Sequence, residues 1–132
     1  MNYKIRYMKN MALLEDYLTK HPELRAFVSI FREISEAKHS ITTISVGERI
    51  SNNTFLSLLT SRIEAPKIHF TSVGNVPIVL LQNYTNTICS IPLVDVKNVE
   101  MRSETTEFGR KDFKLYFRCN QHDYSLNAIL DN

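Results

Sequence analysis

Cysteine and glycine are both scarce in this chain, and each scarcity removes a class of function. Cys89 and Cys119 are the only cysteines in 132 residues, too few for a disulfide scaffold, and a chain of this length buries enough apolar surface without one. A reducing cytoplasm is the expected compartment. The three glycines, Gly47, Gly74 and Gly109, are too widely separated to compose G-x-x-x-x-G-K or G-x-G-x-x-G. No phosphate-cradling loop follows, and a nucleotide-dependent enzyme is disfavoured. Charge of one sign is missing too: sixteen Lys and Arg against fourteen Asp and Glu leave +2 at pH 7. Attraction for a polyanion must therefore come from local clustering. Long apolar runs are absent as well. The nearest, Val76 to Leu81, falls far below the roughly 18 residues of a spanning helix. Met11-Ala12-Leu13-Leu14 stops at Glu15-Asp16, short of what a signal peptide needs. Neither membrane insertion nor secretion is expected.

What is present is the composition of an ordinary folded module, with 43% hydrophobic and 23% charged residues, and a single domain over 1–132 is expected. Met1, Met8 and Met11 each offer a start, the first seven residues show no periodicity that would tie them to a core, and 1–10 are expected to be flexible. Asn52-Asn53-Thr54 and Asn83-Tyr84-Thr85 match the glycosylation acceptor pattern but read as turns. Residues 11–38 read as a helical hairpin. Leu13, Leu14, Tyr17 and Leu18 form one stripe, and Leu24, Phe27, Val28, Phe31 and Ile34 form another at helical spacing. Pro22 separates them, because proline starts helices well and breaks their interiors. Arg32 and Glu36, four apart, belong to a solvated face.

After Ser40 the period changes to two, with Ile44 and Val46 alternating against Thr43 and Ser45 up to Gly47. Residues 53–63 are ambiguous. Phe55, Leu58, Leu59 and Arg62 fit a short helix while the Leu and Thr content suits a buried strand, and a helical turn is the expectation. From Lys67 on, strands are expected at 67–73, 77–82, 87–93, 96–102, 112–119 and 122–130, rich in β-branched and aromatic residues. Gly74-Asn75, Asn83 to Asn86 and Asn120-Gln121 supply the turns, and 103–111 is a polar loop. Short connections make the neighbours antiparallel. The fold class is α+β: a helical hairpin, then a six- or seven-stranded, mainly antiparallel β-barrel over 40–130 that removes its own edges by closing.

The richest chemical stripe is Gly109-Arg110-Lys111-Asp112-Phe113-Lys114-Leu115-Tyr116-Phe117-Arg118. As a strand it sends Phe113, Leu115 and Phe117 one way and Lys114, Tyr116 and Arg118 the other, with Arg110 and Lys111 at its start. Cations beside an aromatic ring suit single-stranded nucleic acid, whose phosphates need neutralising and whose bases stack on a π-face. An ordinary solvent-facing strand also carries such residues, and Lys blunts a sheet edge. Cys119-Asn120-Gln121-His122 has C-x-x-H spacing, but a zinc site needs a second pair such as Cys89 with His69, and that pair is not locally spaced. A thiol nucleophile needs a cleft that adjacency does not supply. His21 and His39 bracket the second helix in structural roles. Glu104 and Glu107 read as solvated loop acids, since nothing supplies the pocket that would raise an acid's pKa. No enzyme, cofactor or metal is expected. A small-molecule barrel would need converging polar groups inside, for which His69 and Tyr124 are the candidates.

Ile91-Pro92-Leu93-Val94-Asp95-Val96-Lys97-Asn98-Val99-Glu100 is a strand, an Asp-containing corner and a strand. It resembles the corner of bacterial pleckstrin-homology-like barrels. Taken from Met8, the length of about 125 residues, the order of helical opening then strands through Leu130, and the Asn, Ile and Lys usage resemble the small PrgU-like family of enterococcal conjugative plasmids. That resemblance implies a six-stranded barrel similar to RNA-binding PUA domains. It also implies a role in restraining production of plasmid-encoded surface adhesins at the level of the transcript, and it carries no motif whose functional residues transfer. The expected function is non-enzymatic RNA binding, with Arg110, Lys111, Lys114 and Arg118 on phosphates and Tyr116 stacking. The alternative is a barrel that takes a protein or peptide by edge-strand pairing or through the helical hairpin, without nucleic acid. An exposed patch of Leu13, Leu14, Leu18 or Phe27 would favour it.

Overall fold

The computed structural model describes residues 2–84, 86–106 and 108–131. Helix α1 spans Tyr3–Lys20 and opens on Asn2, whose side-chain oxygen accepts from the Lys4 backbone N–H at 2.8 Å. This is an N-cap that satisfies one of the orphan donors of the first turn. The helix therefore begins well before the expected residue 11. Its first two turns are exposed and only Leu14 and Leu18 are fully buried, so the apolar stripe begins late while the helix does not. Pro22 acts as expected, starting a single 3-10 turn, Pro22–Leu24, that leads into α2, Arg25–Glu36. Helix α2 buries Phe27, Val28, Ile30, Phe31 and Ile34 at helical spacing.

Eight strands follow: β1 His39–Ser51, β2 Thr54–Glu64, β3 Lys67–Val73, β4 Val76–Asn83, β5 Asn86–Pro92, β6 Lys97–Thr105, β7 Lys111–Cys119 and β8 His122–Asp131. All pairs are antiparallel. The six strands expected after Lys67 are present within a few residues of their expected bounds. Their turns use left-handed backbone at Gly74, Asn75, Asn120 and Gln121, residues that tolerate it or tight two-residue hairpins that demand it. Residues 53–63 are strand, not a helical turn. Ladder pairing of β2 against β1, from Ile41↔Glu64 to Ser51↔Thr54, satisfies backbone groups on both strands and overrides the local leucine spacing. The hairpin needs Gly47: the register shifts there, and a Cβ would overlap the Leu56 carbonyl oxygen.

The strands form a five-stranded sheet in the order β2-β1-β8-β7-β6 and a three-stranded sheet in the order β3-β4-β5. Among the described residues both sheets are open and no barrel closes, so the expected six- or seven-stranded barrel is corrected to two sheets of eight strands in all. The helices account for this. Phe27 packs edge-to-face on Phe117 of β7 at 5.0 Å and on Phe31 at 5.1 Å, while α1 lies along β3 and β4. The apolar inner faces of the open sheets are buried against helix, worth about 1.5–3 kcal/mol for each large side chain, with no ladder closing between them among the described residues. The shared core joins Leu14, Phe27 and Phe31 to Val79, Leu81 and Leu115.

Candidate nucleic-acid interface

Strand β7 segregates its side chains as its sequence requires. Phe113, Leu115 and Phe117 are buried, Lys114 and Arg118 exposed, and Tyr116 half-buried. The outward neighbours come from other strands. One row across the five-stranded sheet reads Arg62, Thr43, Asn127, Lys114, Arg102; the next reads Glu64, Ile41, Ile129, Asp112, Glu104. A cationic row thus lies against an acidic one.

The individual partners sharpen the point. Arg118 Nη1 donates to Asp123 Oδ1 at 3.1 Å, and Arg110 Nε to Asp131 Oδ1 at 3.0 Å. Lys111 does not join the outward face: it shares the side of Phe113 and donates from Nζ to Glu33 Oε1 of α2 at 3.0 Å. Tyr116 carries the Arg49 guanidinium 4.3 Å from its ring centre, with the Phe55 ring 6.4 Å away. Arg49 in turn pairs with Glu100. Of the four cations expected to meet RNA, Lys114 alone faces outward with no acidic partner among the described residues; Arg102 beside it is in the same position. Exposed pairs of this kind contribute little stability, about 0–1 kcal/mol, yet they cancel the local field that a polyanion would feel.

A second surface has the opposite character. Between α1, α2 and the β3–β4 hairpin lies a groove of about 760 Å³. Tyr3, Arg6, Tyr7 and Asn10 of α1 line it, four residues at i, i+3, i+4 and i+7 and so on one helical face. Tyr3 is 78% and Tyr7 53% exposed. The floor is β3 and β4, with His69, Phe70, Leu80 and Gln82, and α2 supplies Arg32. The Arg32 guanidinium sits 5.7 Å from the Phe70 ring centre, a cation–π contact that fixes a charge over an apolar floor. Ser72 Oγ and Asn10 Oδ1 are 2.8 Å apart and clamp α1 to β3. Glu36 is the one acid among the described lining residues, and Lys4, Lys9 and Lys67 stand on the same elements. Sequence reading missed this site. The signal was available as a mixed Tyr-Arg-Asn stripe at helical spacing, in a stretch where only apolar periodicity was sought.

The thiols offer no nucleophile. Burial, reinforced by the neighbouring Cys119 for Cys89 and by Asp95 for Cys119, pushes both up to about 11, so they stay protonated near neutral pH. In the C-x-x-H pair, Cys119 is buried and His122 exposed across the β7–β8 turn. Among the described residues no group of three or more His, Cys, Asp and Glu converges on a point. Glu104 is exposed on β6 and Glu107 lies outside the described residues. His69 lines the α1 groove while Tyr124 stacks on Phe117 at 5.0 Å, so these two do not share a pocket. His21 stacks on Tyr17 at the end of α1. No described helix is long and apolar enough to cross a membrane. Comparison with protein-family models, with curated proteins and with solved structures found no match, so the surfaces themselves carry the functional reading.

Proposed function

We propose that this chain is a non-enzymatic, cytoplasmic RNA-binding protein that lowers expression of a target message by holding a single-stranded segment of it in the α1 groove. The observation that supports this is the joint presence of exposed Tyr3 and Tyr7 rings and the cations Arg6 and Arg32 along one groove. Unstacked bases gain roughly 1–3 kcal/mol each on such rings, and phosphates between them are met by the cations. A duplex hides its base faces and would gain no stacking. Ser35, Thr71 and Gln82 in the lining offer hydrogen-bonding partners for 2′-hydroxyls, the groups that separate RNA from DNA. Under this reading the contact site moves from Lys114, Tyr116, Arg118, Arg110 and Lys111 to the opposite, helix-bearing side. The restraint of surface-protein transcripts stays as the proposed role.

Fluorescence anisotropy with a labelled single-stranded RNA at a series of salt concentrations tests this. Affinity should fall as salt rises, and the Arg6→Ala, Arg32→Ala double variant should flatten the log–log slope by about 1.4, two phosphate contacts at roughly 0.7 each. A wild-type affinity indifferent to salt, or a slope that the double variant leaves unchanged while its melting curve stays native, overturns the reading.

A further inference from the structure

We propose that the β2 edge is a self-association surface on which a second copy of this chain pairs, forming a two-fold dimer with a sheet continuous across the axis. The four sheet edges are protected unequally. Strand β6 carries Lys97, Glu100, Arg102 and Glu104 along its length, the charge guarding by which natural edges avoid pairing. Helix α1 lies along β3. Strand β2 has no such protection: residues 54–61, Thr-Phe-Leu-Ser-Leu-Leu-Thr-Ser, hold no charge and no proline, and β2 is hydrogen-bonded on one side only. Its leucines are turned to solvent, Leu56 at 55%, Leu58 at 70% and Leu59 at 65% exposed.

The β1–β2 hairpin also outruns β8. Pairing of β8 with β1 stops at Gly47↔Asp123, whereas the β1–β2 ladder continues to Ser51↔Thr54; Arg49 and Phe55 hold the tip against Tyr116, while Ile50 and Leu56 are left exposed. Beside the root of the hairpin tip is a recess of about 190 Å³ whose lining includes Val46, Leu59, Ser61, Ile88, Ser90 and Tyr124. It opens where β2 and the equally uncharged β5 leave the two sheets unjoined.

Exposed leucines and a recess on adjoining parts of one strand are the ingredients of an isologous contact. An antiparallel pair of identical edges satisfies both rows of backbone groups with the same segment and closes after two copies. With the axis between Ser57 and Leu58, the uncharged segment 54–61 pairs wholly with itself and each copy's Leu56 lies opposite the other's Leu59. The surface covered, residues 50–61 with the β5 rim at 86–90, approaches the roughly 20–30 residues a side of a standard interface. A short partner strand would cover the edge and leave the hairpin bare, which favours a second copy as occupant.

Sedimentation velocity of the full chain over a concentration series, with hydrogen exchange of the β2 amides on the same samples, tests this. The expected result is a reversible species of twice the chain mass, with amides of 54–61 protected as it forms. Leu58→Lys, at a position already open to solvent, should lose the dimer at concentrations where wild type is dimeric and keep the wild-type circular dichroism. Arg6→Ala, Arg32→Ala should remain dimeric, which separates this proposal from the RNA reading. A monomer at every concentration, an open-ended series of oligomers, or β2 exchange independent of concentration overturns it. So does a dimer that survives both Leu58→Lys and Leu56→Lys.

Discussion

The outer face of the five-stranded sheet and the groove beneath α1 both hold Arg and Tyr, and the difference between them lies in their neighbours. On the sheet, Arg118, Arg110 and Arg49 each have a carboxylate within reach, and the ring of Tyr116 is covered by Arg49. In the groove, Arg32 sits over Phe70 and the lining holds the single acid Glu36, while Tyr3 and Tyr7 stand open. A cation that already has an anion offers a phosphate little, because binding must first break the pair it replaces. A basic-aromatic stripe is therefore a binding surface only when the surrounding elements leave it unpaired.

The largest effect that would break this contrast comes from the groove's rings. Replacing both Tyr3 and Tyr7 with Ala should weaken single-stranded RNA binding by about 2–6 kcal/mol, two stacking contacts at roughly 1–3 each. Stability should hardly change, because both side chains are mostly exposed. Titration by anisotropy beside a thermal melt checks it. A double variant with native melting and wild-type affinity places the contact elsewhere and dissolves the contrast.

How much of this was legible in the sequence depends on how far apart the interacting residues lie. The strands from Lys67 onward are legible because alternation and turn chemistry are local, as at Gly74-Asn75 between β3 and β4. The inward set Phe113, Leu115, Phe117 follows from period two alone. Strand β2 is not legible, since its leucines satisfy helical spacing and only pairing with β1 decides the matter. The start of α1 is hidden for the converse reason: its periodicity is carried by Tyr3, Arg6, Tyr7 and Asn10, which no core requires. Barrel closure depends on where Phe27 lands, and it lands on Phe117, ninety positions later in the chain. The acids that pair with the cations of the β7 stripe are spread similarly, Asp123 five residues from Arg118, Asp131 twenty-one from Arg110 and Glu33 seventy-eight from Lys111. A stripe reads its own charges locally and its neighbours' only after folding.

Neutralising those neighbours should sharpen the comparison by a smaller amount. Asp112→Asn with Glu104→Gln removes acids from the row beside Lys114 and Arg102 while keeping side-chain shape. The outer face should then gain affinity for single-stranded RNA by at most about 1 kcal/mol, the scale of exposed charge interactions, with a steeper dependence on salt. The measurement belongs in an Arg6→Ala, Arg32→Ala background, which removes the cations of the groove. If affinity is unmoved and the salt dependence unchanged, local cancellation by acids does not set this face's affinity.

The smallest effect is the most discriminating. Lys114→Ala with Arg102→Ala deletes two adjacent outward cations that lack acidic partners among the described residues. Their removal should alter RNA affinity by no more than about 0.5 kcal/mol, the range of surface substitutions away from a site. Both side chains are exposed, so folding is not at stake and the readout is clean. A loss comparable to that of the tyrosine variant would mean that the strand face carries the ligand despite its acids. The sheet would then be the binding platform, and α1 would be a cover for β3. A near-zero change, set against a large loss from Tyr3 and Tyr7, assigns the polyanion to the side of the molecule where cations and rings were left unpaired.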